Sequence, residues 1–354
     1  MANIVDYVKY YKDKTFDDIP FNDVDSLIFT QIAYVDFSSI LKKDMLPISI
    51  ENLSREYFPK VTKEQMKAKS KLYRKTYDLF YDISNTSRFK DVIISNYEDI
   101  LDNEKQFCGL TFRYKKNFVY VAFKGTDSSV IGWKEDFDMS YCYPIPSQKC
   151  AINFLENSIN FFDRNVYVGG HSKGGNLALV SALESSSFVR HRLKTIYSFD
   201  GPGLRAKEYH SLAYSKIQNK LRLIIPKDSV VGLLLYHDYD YEVIDSTAKG
   251  LWQHDAFTWQ CFGGFFIEST LSKRSYQFSK SIKTFLNSID DLEQKEFIDA
   301  IYNLFQKSEI DSIEHVSLSK ILKAISLVNT VTSDKKMMDK IKKLLTILVN
   351  LYSI

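Results

Sequence analysis

Cysteine, proline and glycine are all scarce in this 354-residue chain, at 4, 7 and 13 residues. So few glycines and prolines exclude a collagenous or linker-dominated protein. The cysteines, Cys108, Cys142, Cys150 and Cys261, form neither a CxxC pair nor a zinc ladder, so neither a metal nor a cofactor is expected. No apolar run approaches the ~20 residues that span a bilayer. Blocks of five or more like charges are also missing, and a formal net charge of +3 is too small to argue for nucleic acid. The opening stretch, MANIVDYVKYYKDKTFDD, has charges throughout and no apolar core, so it does not read as an export signal. The expectation is a cytoplasmic protein with reduced thiols.

What is present is the balance of a folded chain, 45% apolar and 26% charged. That length allows one large domain or two smaller ones, with a core that needs no disulfide. The 23 tyrosines and 25 phenylalanines fit a packed interior or an apolar substrate cleft, and composition does not choose between them.

Three regions differ in texture. Residues 1–106 read as a mainly helical N-terminal part packed on the core. Asp25 is placed to cap a helix running to Tyr34, and Thr62 with Glu64 to open another past Tyr77, with Met66, Tyr73, Tyr77 and Phe80 at helical recurrence. Residues 107–269 carry the β-rich pattern. Phe107–Tyr114 and Phe118–Phe123 form a hairpin about Lys115-Lys116-Asn117. Strands at Asn165–Gly169, Lys194–Phe199, Lys220–Ile225 and Tyr241–Ile244 alternate with helices at Ser147–Phe162, Asn176–Ser185 and Arg205–Gln218. That alternation predicts an α/β fold, with a largely parallel sheet covered on both faces. Residues 270–354 return to helix, at Ser279–Leu286, Leu292–Phe305, His315–Val328 and Lys335–Tyr352. The last carries Met338, Ile341, Leu345, Leu348 and Tyr352 on one stripe, which fits core or partner packing first and peripheral membrane contact second.

Gly170-His171-Ser172-Lys173-Gly174 matches G-x-S-x-G, with a strand before it and a helix after it. This is the setting of a nucleophile elbow, a tight turn that exposes the serine Oγ at the C-terminal edge of the sheet. The helix that starts there aims free N–H groups at the same spot. A phosphate-binding loop is excluded, because Lys173 follows the serine and is not followed by Ser or Thr. A serine needs a base, and α/β-hydrolases supply Asp or Glu and then His later in the chain. His254, after the last strand, is favoured over His237, which reads as hairpin surface or cleft rim. His171 sits on the turn and points elsewhere, His191 and His210 read as solvated, and His315 lies in the C-terminal helices. For the acid, Asp228, one strand before the histidine segment, is favoured over Asp200, which caps the turn Gly201-Pro202-Gly203 in the competing view.

With these residues in place, a family resemblance emerges. Tyr120-Val121-Ala122-Phe123-Lys124-Gly125-Thr126-Asp127 resembles the "aFRGT" segment of class 3 (fungal-type) lipases, Trp133-Lys134-Glu135-Asp136 their W-x-x-D, and Gly170–Gly175 their GHSLGG elbow. The chain is more closely similar to a largely uncharacterised bacterial family of lipase-like α/β-hydrolases. That group combines GHSKGGNLA, the turn Asp200-Gly201-Pro202-Gly203, Asp228 followed by Val230-Val231-Gly232, and Gln253-His254-Asp255 with Trp259 nearby. The likeness spans about residues 20 to 262. It implies an α/β-hydrolase-type, mostly parallel sheet with helical extensions, a Ser172–Asp228–His254 triad, and an oxyanion hole from Thr126 and the main chain of Lys173. Two departures stand out: Lys124 replaces the arginine of the lipase segment, and Lys173 the leucine of the elbow.

The expected function is serine-dependent cleavage of carboxylic esters or thioesters of apolar acyl groups in lipid metabolism. Leu233 and Leu234, in the apolar stretch after Asp228, are candidate substrate contacts, and residues 128–146 a candidate lid. The expected partner is a small acyl ester or lipid. Two alternatives stay open: an amidase or acyltransferase with the same triad, and a catalytically silent binding or scaffold protein on the same fold.

Overall fold

A computed structural model describes residues 2–352 apart from 68, 128–129, 238–240, 287–290 and 310–316. Its centre is an eight-stranded sheet. The strands are β1 (Ile48–Ser49), β2 (Ile93–Leu101), β3 (Gln106–Tyr114), β4 (Phe118–Phe123), β5 (Asn165–His171), β6 (Leu193–Phe199), β7 (Leu221–Pro226) and β8 (Glu242–Ile244). They lie side by side in chain order. β1 to β4 pair antiparallel, and β4 to β8 pair parallel. The fold is thus of the α/β-hydrolase type, a mostly parallel sheet wrapped by helices. Two of its strands, β1 and β2, lie in the stretch read from sequence as mainly helical.

Successive right-handed crossovers that always move in one direction leave their helices on one face of a sheet. Here that face carries the helices Pro146–Ser158 and Lys173–Glu184. Phe107, Val119, Val121, Phe123, Val166, Val168 and Ile196 pack against Phe154, Leu155, Leu177 and Val180. Alternate strand residues point the other way. Leu110, Phe112, Tyr120, Ala122, Tyr197, Phe199 and Ile224 join a second core with Ile28, Phe29, Ile32, Tyr57 and Phe80 of the N-terminal helices. The period of two along a strand therefore sorts the chain into two cores. Phe29 stacks on Phe112 at 4.7 Å, and Ser26 Oγ hydrogen-bonds Tyr120 Oη at 2.7 Å.

The helix expected to start at Asp25 spans Asp23–Ile32 and is capped by Asn22, which accepts from the amides of Val24 and Asp25. Asp25 instead closes the capping box and is buried against Arg88. The helix expected past Thr62 divides into Lys63–Lys67 and Lys71–Ser84, because Ser70 caps a new start. Residues 205–218 form two single turns, Ala206–Tyr209 and Leu212–Ser215, the second capped by Ser211.

The C-terminal helices are Lys273–Leu286, Asp291–Lys307, Leu318–Leu327 and Lys335–Tyr352. The last three share a core of Phe297, Ile301, Leu304, Ile321, Ala324, Ile341 and Leu345, which Phe137 and Tyr141 also touch. Ile341 and Leu345 of the predicted stripe are therefore spent on internal packing, while the side chains of Leu348 and Tyr352 lie outside the described residues. No helix among the described residues is long and apolar enough to cross a membrane.

Candidate active site

β5 ends at His171, and the next residue turns sharply into a helix. Ser172 sits at φ 59°, ψ −132°, a conformation in which a side chain is rarely tolerated. Its amide is held by the carbonyl of Phe199 on β6 at 3.0 Å. The glycines on either side permit the turn. A Cβ on Gly170 would lie 2.1 Å from the backbone of Gly174, and one on Gly174 would lie 2.2 Å from the carbonyl oxygen of Phe123.

His254 ends a short 3-10 turn, Gly250–His254, after β8. Its Nδ1 lies 2.6 Å from Oδ2 of Asp200. Asp200 directly follows β6 and is itself strained, at φ 48°. Its other oxygen accepts from Ser229 Oγ and from the Gly232 amide at 3.1 Å, so the buried carboxylate is held from both sides.

Asp228 is not the partner of His254, contrary to the sequence-based expectation. Its carboxylate accepts from Gln253 Nε2 at 2.9 Å and from the Gly250 amide at 3.2 Å, while its amide donates to Gln253 Oε1 at 3.0 Å. It braces the turn that carries the histidine. The Asp228 carboxylate is taken up by Gln253 and the Gly250 amide, while Asp200, at the end of the strand next to β5, reaches the imidazole.

His171 shapes the same corner. Its ring lies 4.6 Å from that of His254, and its Nε2 is 2.8 Å from the His254 carbonyl oxygen. A carbonyl only accepts, so Nε2 carries the proton and Nδ1 is left to accept from the Tyr34 hydroxyl at 3.2 Å. Burial, aided by the neighbouring His254, pushes the His171 pKa down to about 3. The ring is thus a neutral spacer and not a base, and Tyr34 has no sequence signal that tied it to the site. His237, read as cleft rim, is instead buried and packs edge-on to Tyr241. His315 lies outside the described residues.

The segment after β4 brings Gly125 and Thr126 to the elbow. A Cβ on Gly125 would meet the His171 carbonyl oxygen at 2.5 Å and the Ser172 Cβ at 3.0 Å. Thr126 Oγ1 donates to Asp136 Oδ2 at 2.6 Å. Desolvation raises the Asp136 pKa to about 6. Lys124 turns away from the serine, paired with Asp127 at 3.1 Å and lying over the Tyr73 ring. Lys173 is buried, with Nζ 3.1 Å from Glu135 Oε2 and 2.9 Å from the Gln106 carbonyl oxygen. The candidate lid begins in residues outside the description and continues as the helix Val130–Asp138, which supplies Glu135 and Asp136. Leu233 is buried, and Leu234 is half-buried with its carbonyl accepting from Gly203.

Among the described residues no group of His, Cys, Asp and Glu is arranged to hold a metal ion. The arrangement offers a strained serine at a helix N-terminus, an imidazole oriented by a buried carboxylate, and main-chain donors on two facing segments. That set suits acyl transfer through a covalent intermediate. Residues 83–303, more than half of the chain, match the Mbeg1-like family. No curated protein matches the chain. The chain belongs to the Mbeg1-like family, which is lipase-like.

Proposed function

We propose that this lipase-like protein is a serine hydrolase acting on carboxylic esters or thioesters of apolar acyl groups. Ser172 is the nucleophile, His254 the base, and Asp200 the acid that orients the imidazole. The observation that carries the reading is the 2.6 Å contact between Asp200 and His254, in the corner where the strained Ser172 turns into its helix. With Nδ1–H donated to Asp200, the Nε2 of His254 is the unprotonated nitrogen, the tautomer a general base requires. Asp200 stabilises the imidazolium that forms and does not itself take the proton.

In the reaction His254 removes the Ser172 proton as Oγ attacks the acyl carbonyl. The tetrahedral oxyanion is received by the main-chain amides of Thr126 and Lys173. The imidazolium then protonates the leaving alcohol or thiol, and water attacks the acyl-enzyme by the same route in reverse. Half-buried Leu234 is the residue of its pair assigned to acyl contact.

The test is an alkyl fluorophosphonate applied to the purified protein, with the adduct mapped by mass spectrometry beside Ser172→Ala. One adduct on Ser172, absent from the variant, supports the hydrolase. A folded protein that takes up no reagent, with and without detergent, points to the silent binding role on the same fold.

A further inference from the structure

We infer that the buried ion pair of Lys173 and Glu135 positions the oxyanion hole, making both side chains positioning residues for the reaction proposed above. The inference rests on that reading. Lysine is a poor choice for the first residue of a helix, since a cation there opposes the helix dipole. It is also costly to bury, and Lys173 and Glu135 have essentially no exposed side-chain surface. Neither local stability nor solubility accounts for it.

The contacts of Glu135 do account for it. Oε2 accepts from Lys173 Nζ and from the Gln106 amide at 2.9 Å, while Oε1 accepts from the Ser147 amide at 2.9 Å. Lys173 Nζ also donates to the Gln106 carbonyl. One carboxylate thus ties the elbow helix to the start of β3 and to the first turn of the helix Pro146–Ser158. The next residue, Asp136, holds Thr126 through its hydroxyl. Two consecutive residues of the helix Val130–Asp138 therefore grip the two segments whose amides are assigned to the oxyanion. The spacing of those donors is set by one rigid element. That element is backed from the other side by Phe137 against Phe305, at 6.0 Å between ring centres. Donors fixed before the reaction cost no reorganisation during it.

The experiment compares wild type, the neutral double variant Lys173→Met/Glu135→Gln, and Glu135→Asp, which keeps the charge but draws it back by one methylene. Thermal melting reports folding. Turnover of p-nitrophenyl esters gives kcat and KM, and an alkyl boronic acid, which forms a tetrahedral adduct on the serine, reports the hole directly. The double variant is expected to fold, to keep KM within about twofold and to lose at least ~10-fold in kcat, with a matching loss of boronate affinity. Glu135→Asp is expected to melt below wild type yet still fold, and to lose kcat and boronate affinity together. It decides the matter if the double variant does not fold. A folded variant with wild-type kcat and boronate affinity overturns the inference while leaving the hydrolase reading intact. Failure of wild type itself to label at Ser172 removes both.

Discussion

His171 and His254 lie ring against ring at 4.6 Å, and the first donates its Nε2 proton to the carbonyl of the second. The variable position of the elbow therefore fixes the backbone of the base. Its Nδ1 faces the Tyr34 hydroxyl, which also reaches the His171 carbonyl oxygen at 3.3 Å, and burial keeps the ring neutral.

Acid stability should reveal this. The His171 pKa is about 3 in the folded chain against an ordinary 6.5, so the unfolded chain binds the extra proton first. Its contribution is complete above pH ~6.5 and is lost progressively as the pH falls toward ~3. The loss reaches about 5 kcal/mol at 1.36 kcal/mol per unit. Urea melts across this range should show a shallower fall for His171→Gln than for wild type.

Asp136 acts with the opposite sign. Its pKa is raised to about 6, so between pH ~4 and ~6 the folded state holds the proton more tightly and this group's contribution weakens as the pH rises. Asp136→Asn should remove that segment of the pH dependence. The same variant keeps an oxygen to accept from Thr126, so kcat should fall less than in Thr126→Val.

Asp200→Asn and Asp228→Asn separate the two acids. The first leaves His254 in the wrong tautomer, and kcat should fall by on the order of 10³–10⁴. The second weakens the brace on Gln253 without changing the tautomer of His254, and its loss should be well below that of the first. Equal losses, or the reverse order, would return Asp228 to the triad.

Arg88→Met should cost about 3–5 kcal/mol of stability, because it leaves Asp25 buried without its cation. Arg88 also donates to the carbonyls of Thr15 and Ile19 and lies 4.3 Å over the Phe16 ring. These contacts hold the N-terminal helices and not the site, so kcat per folded molecule should be unchanged.

The strand–turn–helix around Ser172 is legible because everything that makes it is local: an apolar strand, small residues at Gly170 and Gly174, and a helical run after them. The position of His254 beside the elbow follows from its place after the last strand. Its carboxylate partner is not legible, because Asp200 and Asp228 both follow strands, and only the side-chain contacts that the fold creates, with His254 for one and with Gln253 and Gly250 for the other, tell them apart. Glu135 carries no signal of its own. It fills a variable position of Trp133-Lys134-Glu135-Asp136 in the candidate lid until the fold brings Lys173 to it. His237 misleads in the other direction, since its place just before the last strand suggests a rim and its side chain is buried.

The strands from β3 onward are synthesised in the order in which they lie together, so each finds a finished neighbour waiting. The N-terminal helices precede the sheet in synthesis, yet the surface that Ile28, Phe29 and Ile32 help to cover is finished only by later residues, from Tyr197, Phe199 and Ile224 to Ile244 and Trp259. A stalled or truncated nascent chain that stops short of β6 carries an aromatic-rich layer with much of its partner unmade. Such a surface is what chaperones bind and what drives aggregation. The arrangement that sets the Ser172 corner at the rim of a simple sheet thus makes the first eighty or so residues the part of the chain most dependent on protection during its own synthesis.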